Sequence, residues 1–169
     1  TSYGDSPYSA LSSFAFNPYF IDLDLLAKDG LLDKEELKKY ERNDKRVDYG
    51  YIYNTRFEIL YKAYLNKHIY QAEFDEFLLN EKDWVDDYAL FMVLKIEHHN
   101  KPWNEWYDNF KFRVDHAIEW AKNEFKDKIE AYKFYQFLFL KQWLNLKSYA
   151  NSKGIRIIGD MPIYCAFDS

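Results

Sequence analysis

Apolar residues recur every three or four positions over most of this chain. That rhythm predicts a largely helical protein that changes to a strand near its end. From Tyr49 to Leu65, the side chains of Ile52, Ile59, Leu60, Ala63 and Tyr64 share one helix face. Phe74 to Leu79 suits a short helix. Trp84, Tyr88, Phe91, Met92, Lys95 and Ile96 space out another, with Pro102 as its breaker. The longest pattern runs from about Val114 to Ala150, through Ile118, Ala121, Phe125, Ile129, Tyr132, Tyr135, Phe139, Trp143 and Leu146. It predicts one long helix, or two joined near Phe125 to Lys128. Asp33 followed by Glu36 has the spacing of a capping box. Gly154 is a helix terminator, and Ile155-Arg156-Ile157-Ile158 reads as a buried strand, placing a strand near 155–160.

Residues 1–20 break the rhythm. Gly4, Pro7 and Pro18 punctuate them, with Ser and Tyr between, which predicts a long irregular segment of the kind that carries function. Tyr19 to Leu26, with the alternation Ile21-Asp22-Leu23-Asp24-Leu25, reads as a short strand or an extended segment. The order is therefore loop, helices, strand. A helix, a glycine and an apolar strand in succession mark an α/β protein. One strand cannot form a sheet, and Thr1 is no initiator methionine, so both ends read as cut from something longer.

Composition narrows the partners. Hydrophobic residues make up 48% and charged residues 30%, the balance of a globular chain. The net charge of -5 argues against nucleic acid, whose binders carry a basic face. No apolar run is long enough to span a bilayer, and no signal peptide is visible. Cys165 is the single cysteine, so no internal disulfide forms, which fits a reducing cytoplasmic setting. Aromatics reach 21%. Most serve apolar helix faces, but flat rings also make platforms for sugars.

Four constellations could carry chemistry. Asp160 follows the strand Ile155–Ile158 and Gly159, the end at which parallel α/β proteins place functional residues. Its carboxylate could accept hydrogen bonds from two vicinal sugar hydroxyls, or could simply cap the loop. Tyr3-Gly4-Asp5-Ser6-Pro7-Tyr8 sets two rings on a Gly/Pro-shaped loop, which suits stacking under a sugar or packing the loop on its own domain. His98 and His99 are adjacent, so on a helix they point about 100° apart and cannot share one metal as an i, i+4 pair does. Asp160 and Asp168 are two carboxylates, as glycoside chemistry requires, but their spacing does not set a geometry.

These blocks resemble the amylomaltases, the 4-alpha-glucanotransferases of glycoside hydrolase family 77. The resemblance rests on Thr1-Ser2-Tyr3-Gly4-Asp5-Ser6-Pro7-Tyr8, Asn17-Pro18-Tyr19 and Val47-Asp48-Tyr49 with Arg56. It continues through Asp87-Tyr88-Ala89-Leu90-Phe91 and Gln142-Trp143 to Gly159-Asp160-Met161-Pro162-Ile163-Tyr164. It implies a (β/α)8 TIM barrel of glycoside hydrolase type with helical insertions, of which this chain covers an early part. Residues 1–26 would be a substrate-facing loop and extended segment, 27–112 a helical insertion, 113–153 barrel helices, and 154–169 a barrel strand with its active-site loop.

The resemblance further implies transfer of α-1,4-glucan segments to the 4-hydroxyl of another glucan or of glucose, by a retaining double displacement. A related α-glucan hydrolase, or a non-catalytic glucan-binding or structural piece, is the alternative. Asp160 matches a supporting active-site carboxylate, Tyr8 a tyrosine that stacks on the sugar beside the scissile bond, and Tyr3 and Ser6 loop positions that touch glucan. The nucleophile and the acid/base have no counterpart in this chain, and Asp168 does not replace them. No metal or cofactor is implied; the partners are the maltooligosaccharide substrate and the remainder of the same barrel. Two positions depart from the family pattern: Phe16 stands where Gly is usual, and Cys165 where Val is usual. A left-handed backbone at the glycine would make Phe16 strained.

Overall fold

The computed structural model describes residues 10–42 and 45–160. Eight α-helices occur among them: α1 (Leu23–Lys28), α2 (Lys34–Leu37), α3 (Tyr49–Leu65), α4 (Gln71–Asn80), α5 (Lys82–Glu97), α6 (Asp108–Lys111), α7 (Asp115–Glu124) and α8 (Lys126–Ser152). Short 3-10 turns link several of them, including Pro18–Phe20.

Local chemistry sets the helix starts. Asp22, Asp33 and Asp48 each sit in extended backbone and accept a main-chain N–H with a side-chain oxygen, from Leu25, Glu36 and Tyr51 respectively. Asp22 thereby turns the alternating segment Ile21–Leu25 into the start of α1. A strand there would have left its backbone groups without a neighbouring ladder, whereas the cap and the helix satisfy them internally. The sequence expectation of a strand or extended segment through Leu26 is corrected accordingly. Helix α5 ends at Glu97, ahead of Pro102. His99 and Asn100 adopt left-handed φ of 57° and 59°, and the Asn100 N–H closes on the Lys95 carbonyl at 2.8 Å.

Helix α8 is the axis of the fold. Its five consecutive residues from Phe134 to Leu138 are all buried. Five successive positions cover every direction around a helix, so this stretch is sheathed on all sides. Helices α3, α4, α5 and α7 and the Pro18–Phe20 turn form the sheath. Phe74 of α4 meets Phe134 edge-on at 5.2 Å, and Phe137 lies 5.6 Å from Phe74. Helix α5 packs along α8 through Val85, Ala89 and Val93, all fully buried. The periodicity spaces out Trp84, Tyr88, Phe91, Met92, Lys95 and Ile96, of which Lys95 is buried, as are Leu90 and Leu94 between them. The slim side chains of Val85, Ala89 and Val93 let two helix axes approach closely. Trp84 and Phe91 fill the flanks instead, and Ile96 stays 45% exposed.

The long apolar pattern resolves into two helices, α7 and α8, which meet at Phe125. At the far end, Gly154 takes φ +75°, and the Ile155 N–H returns to the Ala150 carbonyl at 3.0 Å. Beyond it the expected strand near 155–160 is absent, and no strand occurs among the described residues. A strand exists only through ladder hydrogen bonds to a neighbour, and none of the described segments supplies one. The run is exposed rather than buried, with Ile158 at 92%.

Candidate functional site

Two segments matter for the sugar-binding expectations: the stretch that follows residues 3–8, and the stretch after α8 that ends in Asp160. Tyr3, Ser6 and Tyr8 lie outside the described residues, as do Cys165 and Asp168. Asp160 lies within them, exposed, in irregular backbone. Around Gly159 no atom comes within 4 Å of where a Cβ would sit.

The first segment is pinned along its length. Ser12 Oγ accepts the N–H groups of Phe14 and Ala15, both at 3.1 Å, in a serine turn. Asn17 Oδ1 accepts the Tyr19 N–H at 3.0 Å and caps the Pro18–Phe20 turn. Two glutamines of α8 then grip the main chain. Gln136 Oε1 accepts the Phe16 N–H at 2.7 Å while its Nε2 donates to the Phe16 carbonyl at 3.0 Å. Gln142 does the same to Asp22, at 2.8 and 2.9 Å. Both pairs are separated by 120 positions in the sequence, so the segment and the helix run in one register. Gln136 is wholly buried and its amide spends both polar atoms on this contact. Arg56 adds a third anchor, Nη1 donating to the Ile21 carbonyl at 2.8 Å. Burial lowers the Arg56 pKa, and the charge of Asp22 partly opposes the shift; the guanidinium remains charged at neutral pH.

Phe16 is unstrained. The non-glycine residues with positive φ among those described are His99, Asn100 and Arg113. The Phe16 ring lies flat on Phe139, centroids 4.7 Å apart and planes 7° from parallel. The side chain that replaces the usual glycine therefore adds a stacked aromatic pair.

An aromatic cluster flanks this segment. Tyr19 sits 5.4 Å from Tyr53 and 5.6 Å from Phe57, and Phe57 continues to Tyr132 and Tyr135. Burial pushes the phenols of Tyr132 and Tyr135 well above their ordinary value, so they are neutral in water of any physiological pH. A cleft of about 340 Å³ opens beside them, lined by Phe57, Tyr61, Val93, Ile96, Tyr132 and Tyr135. The Lys128–Glu97 ion pair, 2.5 Å, closes its rim.

His98 has a packing role. Its Nδ1–H donates to the Leu94 carbonyl at 2.7 Å, and its ring stacks on Trp106 at 5.0 Å with Phe110 edge-on. Among the described residues no group of three or more His, Cys, Asp or Glu is arranged to hold a metal ion. No helix among them is long and apolar enough to cross a membrane.

Sequence reasoning assigned no role to Gln136 or to the amide of Gln142. The available signal was a pair of long amides on a helix otherwise lined with Phe, Tyr and Leu.

A family model described as 4-alpha-glucanotransferase, glycoside hydrolase family 77, matches residues 1–169. A 4-alpha-glucanotransferase of Clostridium butyricum is 49% identical over 172 residues, which is 100% of this chain and 35% of that protein. One from Thermus thermophilus is 42% identical, again over all of this chain and 34% of the relative. The solved structure of an amylomaltase from Streptococcus agalactiae in complex with acarbose superposes with a TM-score of 0.91 at 38% identity. It covers 100% of this chain and 35% of that one. The chain thus spans about a third of the length of the relatives it matches.

Proposed function

The chain belongs to the 4-alpha-glucanotransferase family, glycoside hydrolase family 77, and from that premise we propose that it forms the early, substrate-holding part of a (β/α)8 barrel that transfers α-1,4-glucan segments. The observation that carries the reading is likeness along the whole chain, in sequence and in backbone, to a family of one activity.

In the proposed reaction a carboxylate from another part of the barrel attacks the anomeric carbon as the glycosidic bond to the leaving sugar breaks. The leaving oxygen takes a proton from an acid. The glycosyl-enzyme is then opened by the 4-hydroxyl of an acceptor glucan, whose proton returns to the same group. This chain supplies the walls. Tyr8 stacks on the sugar beside the scissile bond, Tyr3 and Ser6 touch the glucan, and the Asp160 carboxylate accepts hydrogen bonds from sugar hydroxyls. The exposed Ile155, Ile157 and Ile158 support this placement. Three large apolar side chains within four residues are costly in water, about 1.5–3 kcal/mol for each one fully buried, and flanking barrel strands would cover them.

The test uses the full-length protein and maltotriose. Asp160→Ala should lower the rate of forming glucose and longer oligosaccharides by about 100-fold or more, the scale for losing a group that stabilises the reacting sugar. Residues 1–169 alone should form neither product. A near-normal rate in Asp160→Ala, or transfer by the isolated chain, would overturn the assignment.

A further inference from the structure

The cleft between α3, α5 and α8 holds a polar group that the fold leaves unused. Its wall is made of rings. Phe57 lies 5.6 Å from Tyr132 and 5.9 Å from Tyr135, and the two tyrosines lie 5.4 Å apart. Their planes are tilted by 41°, 45° and 60°, so each ring braces the next and the wall keeps its shape.

Tyr135 is 3% exposed, yet its hydroxyl makes no hydrogen bond among the described residues. Burial and the charge of Tyr61, another lining residue, act on it, and no hydrogen bond does. The side-chain atoms sealed from solvent without a partner, among the described residues, are His98 Nε2 and Asn104 Oδ1. The Tyr135 oxygen is not one of them, so it faces open space, and the open space that Tyr135 lines is the cleft. A buried hydroxyl ordinarily has a partner, and here the partner comes from inside the cleft, as water or as a ligand group.

The remaining features select the ligand. At about 340 Å³ the cleft stands at the small end of ligand sites, with room for a small ring compound. At its rim Lys128 and Glu97 pair with each other at 2.5 Å, and Lys128 Nζ also lies 5.2 Å over the Phe125 ring. The two charges offset each other, so the mouth suits a neutral guest. The rings suit a flat apolar face, and the Tyr135 hydroxyl requires a hydrogen-bonding edge. Neutral, apolar on its face and hydroxylated at its edge describes a hexopyranose.

We propose that this cleft binds a glucose unit, as the free sugar or as the end of an α-glucan. A sugar hydroxyl bonds Tyr135 while the C–H face lies on Phe57 and Tyr132. The choice of glucose among neutral sugars rests on the transferase reading above.

The experiment follows binding of labelled glucose to the full-length protein by equilibrium dialysis, with methyl α-glucoside and cyclohexanol as competitors. Tyr135→Phe removes the hydroxyl and keeps the ring. It should weaken one glucose-binding component by about fivefold, the scale of one net hydrogen bond. The unfolding midpoint without sugar should stay at the wild-type value, because no bond within the protein is lost. Ile96→Trp, at a half-exposed position on the lining, fills the mouth and should abolish the same component. Displacement by methyl α-glucoside assigns the cleft to a chain end, and its failure to displace assigns the cleft to the free sugar. Wild-type glucose binding in Tyr135→Phe, a lowered midpoint in that variant, or displacement of glucose by an equal concentration of cyclohexanol overturns the proposal and leaves the transferase reading intact. A wild type that makes neither glucose nor longer oligosaccharides from maltotriose overturns the transferase reading, and with it the choice of glucose.

Discussion

Replacing Phe16 by glycine, the residue usual at this place in the family the sequence resembles, should weaken the protein. The Phe16 ring is partly buried and lies 4.7 Å from Phe139 in a parallel stack. Exposing that half-buried area costs about 1–1.5 kcal/mol, and losing the aromatic pair about 0.5–1.5 kcal/mol. The freer glycine backbone in the unfolded chain adds about 0.4–1 kcal/mol. Allowing for relaxation of Phe139, the sum is about 2–3 kcal/mol. With a urea m-value of about 2 kcal/mol/M, the midpoint should fall by about 1 M. Tryptophan fluorescence can follow the transition, since the chain carries five tryptophans. Phe16→Leu keeps apolar volume and an ordinary backbone and should lose about 1 kcal/mol. The sign of the glycine result decides the matter. If Phe16 were held in a left-handed, strained conformation, glycine would relieve it and raise the midpoint; an unchanged or higher midpoint would refute the stacking argument.

Glu130→Gln should make stability less dependent on acid. Burial by itself would raise the Glu130 pKa, but hydrogen bonds from Lys67 and from the Tyr64 hydroxyl outweigh it and hold the carboxyl below its ordinary 4.5. A lowered folded-state value means the stabilisation is present above about pH 4.5 and is lost as pH falls through the lowered value. Unfolding free energies from urea titration should differ by about 1 kcal/mol between wild type and variant at pH 7 and converge near pH 3; a constant difference would contradict the pairing. Gly154→Ala should cost about 1 kcal/mol through its φ of +75° alone, because nothing lies within 4 Å of the new methyl. Thermal unfolding reads this directly, and an unchanged melting temperature would remove the left-handed cap from the account of how α8 ends.

Helix existence was legible wherever one rhythm ran uninterrupted. The span predicted from Tyr49 to Leu65 is α3, because a single apolar stripe, the Asp48 cap and the absence of proline agree. In α5 the signal found the helix but not its buried face. The sequence spaced out Trp84, Tyr88, Phe91, Met92, Lys95 and Ile96, of which only Lys95 is buried, and packing in the folded chain selects a face that adds Val85, Ala89, Leu90, Val93 and Leu94. The segment Ile21–Leu25 alternates like a strand, yet local capping by Asp22 turns it into helix. Of the candidate site, Tyr3, Ser6, Tyr8 and Asp160 were named from the sequence through the motifs that carry the resemblance, and of these Asp160 lies among the described residues. The glutamines that anchor the neighbouring segment were not, because an amide on a helix has no partner until the chain folds back on itself.

The sequence by itself determined the helical rhythm, the caps, the stop at Gly154 and, through its motifs, the family. These depend on contacts within a few residues or on residue types that chemistry requires. Tertiary structure alone decided which face of α5 is buried, that Phe16 stacks rather than strains, and that α8 grips Phe16 and Asp22. It also decided that Ile155–Ile158 forms no strand here. Each of those outcomes depends on a partner far along the chain, and a ladder without a neighbouring strand has nothing to pair with.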